Sequence, residues 1–326
     1  MSREALNSSV PGVDLESAPC PMGCDYDDEP VLQGHDRING LPGEYRVVRC
    51  RGCGLLRTDP RPTAQTMGFY YPDDYPPYLT TQVDPASKRS GLKAWLRELL
   101  DTRAQAIPQL EPGRMLEIGC ASGSYLHQMS CQGWDVTGIE FSPQAAEMAR
   151  NNGYTVHTGA LESVDLNQSD FDLVVGWMVL EHLHDPVASL HKLYEWAKPG
   201  AWLALSVPNI DSLEFRLFKQ RWHALQLPSH LYHYTPKTIA PMLEKSGWRL
   251  QSILHQRVLS SLFLSLGHLL DEKGYPRLRR WVEGEPGDMI RLYHLFYPAA
   301  FLVAAAGQSG RMTIWARKAV GRVSAA

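Results

Sequence analysis

Near the middle of this 326-residue chain, a turn reads Glu117-Ile118-Gly119-Cys120-Ala121-Ser122-Gly123-Ser124. A short apolar run precedes the turn, and a helical pattern begins at Ser124. A strand that passes through small residues into a helix lets the backbone of the turn approach a ligand closely. Ala121 and Ser124 occupy two glycine positions of the dinucleotide fingerprint G-x-G-x-x-G, so NAD is a poor fit.

Short apolar runs alternate with helical patterns around this turn, which is typical of a parallel β-sheet covered by helices. Seven runs predict strands, at residues 114–118, 135–140, 155–157, 171–177, 201–207, 248–254 and 312–317. Four patterns between them predict helices, at residues 124–132, 143–152, 187–197 and 236–246, and an amphipathic stretch at 92–107 precedes the first strand. We therefore expect an α/β fold with seven strands in one sheet and helices on both faces.

The turn is one of six motifs that follow one another along the chain. They are Glu117-x-Gly119-x-Ala121-x-Gly123, Glu140 after the second strand, Phe171-Asp172, Leu180-Glu181-His182-Leu183-x-Asp185-Pro186, Lys198-Pro199-Gly200 and Pro208-Asn209. In this register the chain resembles class I S-adenosylmethionine-dependent methyltransferases, over residues 113–254 and a last strand near 312–318. The resemblance implies a Rossmann-like methyltransferase sheet. Ala121, where the family more often has Gly, is a mild departure.

The resemblance also implies which residues bind S-adenosylmethionine. Glu140 would accept hydrogen bonds from both ribose hydroxyls, Phe141 would lie against the adenine, and Glu117 would attract the ammonium end. The further contacts that it implies are Gly119, Cys120, Ala121, Gly123, Ala160, Leu161, Trp177 and Met178. Because no histidine is placed by the sequence to activate it, Cys120 is expected to pack rather than to act as a nucleophile.

Three histidines are candidates for catalytic residues that act on the methyl acceptor: His182, His230 and His233. Methyl transfer needs donor and acceptor in line, and a hydroxyl acceptor benefits from a neutral imidazole as general base. Residues 227–236 are similar to the Pro-x-His-Leu-x-His-Phe-Thr pattern of several small-molecule methyltransferases, so we rank His230 first. For His233, and to a lesser extent for His230, capping or packing of the next helix is the alternative.

Glu181-His182 also resembles part of a Glu-x-x-Glu-His pattern that holds a divalent cation in quinone-precursor O-methyltransferases. Met178 stands at the first position of that pattern. A hard cation prefers several oxygen ligands, so the sequence gives little support to a metal ion at this place.

Four of the six cysteines form two pairs, Cys20-x-x-x-Cys24 and Cys50-x-x-Cys53. In a reducing compartment, two such pairs can bring four thiolates to one tetrahedral Zn²⁺. A module this small buries too little apolar surface to be stable alone, so it needs an additional link such as a bound metal ion. The pattern predicts a structural zinc-ribbon-like module over residues 19–62, with unliganded or disulfide-paired cysteines as the alternative.

Composition and segment length predict the domain boundaries in the rest of the chain. The polar residues 1–18 predict a flexible N-terminus, and the Pro- and Tyr-rich residues 63–90 predict a linker. The methyltransferase domain is expected over residues 91–254 and 310–320. Residues 255–309 are too long for a simple connection and predict a helical insertion.

The insertion contains two apolar runs on either side of Tyr275-Pro-Arg-Leu-Arg-Arg-Trp281. Such a pattern suits a membrane surface or a lipid-linked acceptor. Helices that pack over the sheet or form a homodimer interface are the alternative. Neither apolar run reaches the length that a bilayer-spanning helix needs.

Charge and composition narrow the functional classes. The chain has 32 Lys+Arg against 35 Asp+Glu, a net charge of −3, so no nucleic-acid partner is expected. The N-terminal residues lack the features of an export signal, which favours a cytoplasmic protein. We expect O-methylation of a small-molecule or lipid-linked acceptor, such as a sugar, polyketide or phenol. The alternatives are a sugar C-methyltransferase, a zinc-ribbon-guided macromolecule methyltransferase and a non-enzymatic adaptor.

Overall fold

The computed structural model describes residues 10–71, 102–166, 170–284 and 286–320. Its N-terminal part is a small β-unit that contains both cysteine pairs. The strands are β1 (Leu15–Glu16), β2 (Asp28–Gly34), β3 (Tyr45–Cys50), β4 (Leu56–Thr58) and β5 (Arg61–Pro62). β2, β3 and β4 form an antiparallel sheet, and β1 pairs with β5. A 3₁₀ turn at Met67–Tyr70 follows.

The predicted flexible N-terminus needs a correction for residues 10–18. Strand β1 pairs with β5, and Val10 and Val13 are buried in the main core. Isolated valines in a polar stretch carry no periodic signal, so their burial depends on the module that they pack against. Residues 1–9 lie outside the described part of the chain, as do residues 72–101, which include most of the predicted linker and of the amphipathic stretch at 92–107.

The central sheet has seven strands, as predicted. They are β6 (Arg114–Ile118), β7 (Asp135–Glu140), β8 (Thr155–Thr158), β9 (Phe171–Trp177), β10 (Ala197–Pro208), β12 (Trp248–His255) and β13 (Arg311–Lys318). Their order across the sheet is β12-β13-β10-β9-β6-β7-β8. Only β13 runs antiparallel to its neighbours within this sheet. The carboxyl ends of β6, β7, β8 and β9 therefore meet at one edge, which is where open α/β sheets bind ligands.

Five helices connect these strands, and local sequence explains where the longer ones begin. They are α1 (Ser124–Ser130), α2 (Pro143–Asn151), α3 (Pro186–Trp196), α4 (Leu213–Phe218) and α5 (Pro236–Lys245). Proline stands in the first turn of α2, α3 and α5, and the side chains of Ser142, Asp185 and Thr235 cap those helices.

The predicted insertion is helical in the structure. It contains α6 (Ser260–Glu272), α7 (Pro276–Glu283) and α8 (Pro286–Ala305). Leu259, Phe263, Val282 and Ala300 form a small core of their own. Among the described residues, no helix combines the length and the apolar character needed to cross a membrane.

A two-residue strand joins the N-terminal unit to the part of the chain that contains the seven-stranded sheet. Strand β11 (Tyr232–His233) pairs with β4 and extends the N-terminal sheet to the order β11-β4-β3-β2. Thr58 donates its backbone N–H to Leu231 O at 2.9 Å and its hydroxyl to His230 O at 2.7 Å. The cysteine-bearing sheet therefore holds the segment that contains His230 and His233, two of the three predicted acceptor-side histidines.

The N-terminal sheet also contains a buried ion pair, whose contribution to the stability of the protein can be measured by substitution. Arg57 donates two hydrogen bonds to the Asp28 carboxylate, at 2.8 and 2.6 Å. Removal of one partner leaves a buried charge unpaired, so Arg57→Ala should lower the free energy of unfolding by about 3–5 kcal/mol. Denaturant unfolding followed by tryptophan fluorescence measures this loss.

The matched control is Arg49→Ala, which breaks the exposed pair with Glu29. Exposed pairs contribute little, so this variant should lose less than about 1 kcal/mol. Equal losses in both variants would contradict a special contribution of the Arg57–Asp28 pair.

Candidate active site

The turn after β6 has the backbone geometry of a ligand-binding loop. Gly119 has a φ of +66°, and a Cβ atom there would lie 2.5 Å from Val179 Cγ2, so only glycine fits. Ala121 has a φ of +46°, a left-handed conformation that costs a non-glycine residue about 1–3 kcal/mol. Gly123 has a φ of +87° and is the N-cap of α1. Gly119, Ala121 and Gly123 thus all have positive φ angles, which neither strand β6 nor helix α1 requires.

Glu140 ends β7 beside this turn, and its carboxylate is held by backbone groups. Oε2 accepts a hydrogen bond from Ala121 N and Oε1 accepts one from Ser142 N, both at 2.8 Å. Each carboxylate oxygen can accept more than one hydrogen bond. The two oxygens are therefore oriented and retain capacity for two hydroxyl donors, as the ribose assignment requires.

Glu117 is buried in β6 with an unpaired oxygen. Among the described residues, its Oε2 has no hydrogen-bond partner. Burial and the neighbouring Glu140 raise the pKa of Glu117 well above its ordinary value. A cationic group bound nearby would favour the charged form. Glu117 therefore fits the predicted contact with an ammonium group.

The remaining predicted cofactor residues lie at the same edge of the sheet. Phe141 is exposed directly after Glu140, and Ala160 and Leu161 follow β8. Trp177 ends β9 and Met178 follows it with a φ of +60°. These positions agree with the proposed binding mode, although the contacts with a cofactor remain predictions.

Cys120 is buried against the sheet. A Cβ atom on Gly138 would lie 2.5 Å from Cys120 Sγ, so the thiol fills the space above that glycine. Burial raises the pKa of Cys120, which disfavours the reactive thiolate. The structure therefore supports a packing role for this residue.

The structure brings Glu181, His182 and His230 together on the acceptor side. His182 Nδ1 lies 2.9 Å from Ser229 O, and His230 Nδ1 lies 2.9 Å from Ala224 O. A carbonyl oxygen can only accept, so each of these contacts is a hydrogen bond in the tautomer with the proton on Nδ1, and in that tautomer Nε2 can accept a proton. His230 Nε2 lies 3.9 Å from Glu181 Oε1.

Burial controls the charge of this cluster. It lowers the pKa of His182 to about 4 and that of His230 well below its ordinary value. It raises the pKa of Glu181 to about 8, and neither oxygen of Glu181 has a hydrogen-bond partner among the described residues. At neutral pH both imidazoles are therefore neutral and the Glu181 carboxyl is mainly protonated.

The three predicted histidines differ in access. His182 is partly exposed, whereas His230 is only 2% exposed and His233 is buried as well. His233 Nε2 lies 3.3 Å from Thr58 Oγ1, within the shared sheet. The geometry therefore favours His182, rather than His230, as the imidazole that meets an acceptor, and it favours the packing alternative for His233.

Sequence reasoning missed two residues that contact these histidines. Tyr71 Oη lies 2.7 Å from His182 Nδ1, and Thr58 contacts both His230 and His233. Tyr71 belongs to the Pro- and Tyr-rich residues 63–90, for which the sequence predicts only a linker. No spacing rule distinguishes it from the neighbouring tyrosines.

Within the described ranges of the chain, two groups of side chains have the donors and the proximity to hold a metal ion. The Sγ atoms of Cys20, Cys24, Cys50 and Cys53 lie within 4.8 Å of one another. Four converging thiols are the donor set of a closed structural zinc site. Ligand atoms of Glu181, His182 and His230 also lie within 4.8 Å of one another. His230 is distant in the sequence from Glu181 and His182, so local spacing could not reveal that it lies beside them.

Comparison with known proteins agrees with this fold. A family model described as a methyltransferase domain matches residues 89–253, half of the chain. The ubiquinone biosynthesis O-methyltransferase of Xanthomonas axonopodis pv. citri is 30% identical over 160 residues, which are 44% of this chain and 67% of the relative. The protein of that name from Alkalilimnicola ehrlichii is 32% identical over 117 residues, 34% of this chain and 47% of the relative. The chain thus spans about half to two thirds of these relatives.

One solved structure shows the same fold at low sequence identity. Phosphoethanolamine N-methyltransferase 2 of Haemonchus contortus, in complex with S-adenosyl-L-methionine, has a TM-score of 0.50 and 15% identity, over 81% of this chain and 63% of that chain. The sheet order, the turn after β6 and the family match all agree. The chain therefore belongs to the methyltransferase domain family.

Proposed function

We propose that the protein is an S-adenosylmethionine-dependent methyltransferase that methylates a hydroxyl group of a small-molecule or lipid-linked acceptor. The observation that carries the donor assignment is the Glu140 carboxylate, held by Ala121 N and Ser142 N at 2.8 Å each. A preorganised carboxylate at the end of the second strand suits a pair of ribose hydroxyls. When bound, the donor supplies a methyl group on positively charged sulfur.

The acceptor side supports O-methylation through His182. As the acceptor oxygen bonds to the methyl carbon, the carbon–sulfur bond breaks with its electron pair going to sulfur. The hydroxyl proton would pass to His182 Nε2, in the tautomer whose Nδ1 donates to Ser229 O. Ligand atoms of Glu181 and His182 lie within 4.8 Å of one another, so Glu181 in its ionised form would stabilise the resulting imidazolium. The O-methyltransferase names of the relatives support the same type of acceptor.

The cysteine module is proposed to bind one structural Zn²⁺. The thiols converge on tight turns, since a Cβ atom on Gly52 would lie 3.1 Å from Cys24 Sγ. Four protein ligands would leave no coordination position for water, so the ion would stabilise the module rather than take part in methyl transfer. Its effect on the acceptor side would pass through the pairing of β4 with β11.

The donor assignment predicts that Glu140→Ala weakens binding of S-adenosylhomocysteine roughly ten- to 150-fold, the scale of hydrogen bonds to a charged group. Isothermal titration calorimetry measures this change directly. Glu147→Ala on the exposed side of α2 is the matched control and should bind normally. An unchanged dissociation constant in Glu140→Ala would remove Glu140 from the ribose site.

The acceptor assignment predicts that His182→Gln lowers turnover by roughly 10²–10⁴-fold and leaves donor affinity unchanged, because the base acts only on the acceptor. Release of S-adenosylhomocysteine with a panel of phenolic and sugar acceptors measures turnover. Because His182 has a pKa of about 4, the wild-type rate should not fall from pH 8 to pH 6 through this group and should decline as pH falls towards 4.

His191→Gln on the exposed face of α3 is the control for the histidine substitution. Near-wild-type turnover in His182→Gln would exclude His182 as the base. If added Mg²⁺ or Mn²⁺ restores a turnover that metal-free buffer abolishes in wild type, the Glu181–His182–His230 cluster instead binds a cation.

The zinc assignment predicts one Zn²⁺ per chain in purified protein, measured by inductively coupled plasma mass spectrometry. The double variant Cys50→Ser/Cys53→Ser should lose it, since two thiolates do not complete a closed site. Cys131→Ser, which changes an exposed cysteine outside the cluster, should retain it. Wild-type protein without stoichiometric zinc would refute the assignment.

A further inference from the structure

The outer face of α7 in the insertion is apolar and exposed. Leu278 is 52% exposed and Trp281 is 77% exposed, one helical turn apart. Tyr275, which directly precedes the helix, is 57% exposed, whereas Val282 is buried on the inner face. Exposure of a large aromatic side chain costs free energy in water, so a helix that presents two apolar residues and a preceding tyrosine has a surface suited to contact.

Basic side chains lie on the same outer face. Arg277 and Arg280 are exposed next to Leu278 and Trp281, and neither has an ion-pair partner in the described part of the chain. Arg279 lies at the inner side and pairs with Asp271 at 3.0 Å and with Glu283 at 2.9 Å. Within the described residues, the acids near this face, Asp271 and Glu283, pair with Arg279, and the positive charge of the outer face is not compensated.

The apolar exposure is concentrated in the insertion rather than scattered. Of the fifteen exposed large hydrophobic side chains in the described residues, seven belong to it, namely Tyr275, Leu278, Trp281, Leu295, Phe296, Phe301 and Leu302. The last four lie on α8, whose Phe296 contacts Phe263 of α6 with ring centroids 5.2 Å apart. α7 and α8 therefore belong to one helical unit that is rich in exposed apolar side chains.

We propose that α7 docks the protein on the surface of an anionic phospholipid bilayer, with Leu278 and Trp281 in the headgroup region and Arg277 and Arg280 beside the lipid phosphates. A helix with an aromatic apolar face and flanking arginines is the form that binds in the plane of a bilayer interface. A twofold dimer through the same face would place these arginines opposite their own copies. Charge therefore favours anionic lipid over a second copy of the chain.

The insertion contacts the acceptor side of the site. His223 N donates to Ser265 Oγ of α6 at 2.8 Å, and His223 Nδ1 lies 3.2 Å from His268 Nε2. His223 is followed by Ala224, whose carbonyl accepts from His230 Nδ1. A membrane-bound insertion would thus be connected to the loop that faces the acceptor. The benefit for a lipid-linked acceptor rests on the proposed function, whereas docking itself does not.

The test uses the full chain and vesicles of phosphatidylcholine with 30 mol% phosphatidylglycerol, against vesicles of phosphatidylcholine alone. We expect cosedimentation with the anionic vesicles and loss of binding in 0.5 M NaCl. Each arginine near an anionic surface contributes about fivefold to partitioning, so Arg277→Gln/Arg280→Gln should weaken binding roughly 30-fold. Trp281→Ser should weaken it at least about tenfold.

Two controls match these variants. Lys237→Gln/Arg249→Gln removes the same charge from exposed positions elsewhere, and Met148→Ser removes an exposed apolar side chain from α2. Both should bind vesicles as wild type does. Failure of wild type to bind, or equal loss in the control variants, would overturn the proposal. A dimer in sedimentation velocity that Trp281→Ser dissociates would also overturn it, since the face would then be a protein interface. Binding without any methyltransferase activity would leave docking intact and contradict only the proposed function.

Discussion

The pairing of β4 with β11 is the contact on which the acceptor side of the structure depends. The segment from α4 to α5 contains only short 3₁₀ turns and the two-residue β11, so it has little regular structure of its own. Thr58 supplies two hydrogen bonds to this segment, to His230 O and to Leu231 O. Ser229, whose carbonyl oxygen lies 2.9 Å from His182 Nδ1, directly precedes His230, so the N-terminal sheet holds the chain next to a contact of that imidazole.

Burial makes His182 an available but weak base. A group with a pKa of about 4 is unprotonated at neutral pH, yet proton transfer is most effective when the pKa of the base is near the operating pH. Such a base suits an acidic hydroxyl better than an alcohol. Among the acceptors proposed, a phenol therefore fits the electrostatics of the site better than a sugar.

Local sequence patterns predicted the strands of the central sheet and the residues at their carboxyl ends. They could not predict contacts between residues that are distant in the sequence. The strands at 114–118, 135–140 and 171–177 have the predicted bounds, because each is an apolar run that ends in a turn or a polar residue. Strand β11 has two residues and no periodicity, so its pairing with β4 gave no signal. The contact of Tyr71 with His182 joins residues 111 positions apart. Spacing rules describe neighbours along the chain, and these contacts arise only when two units pack.

The charge of the whole molecule and the charge of α7 act over different distances. The chain has a net charge of −3, so an anionic surface does not attract the molecule as a whole. At 0.1 M ionic strength, charges beyond about 10 Å are largely screened, and only groups close to the surface contribute. The anionic lipid would then attract Arg277 and Arg280, and it would do so only in orientations that bring α7 close to the bilayer. A basic helix on a protein of negative net charge therefore favours one docked orientation. In that orientation the insertion, which contacts His223 on the acceptor side, faces the bilayer.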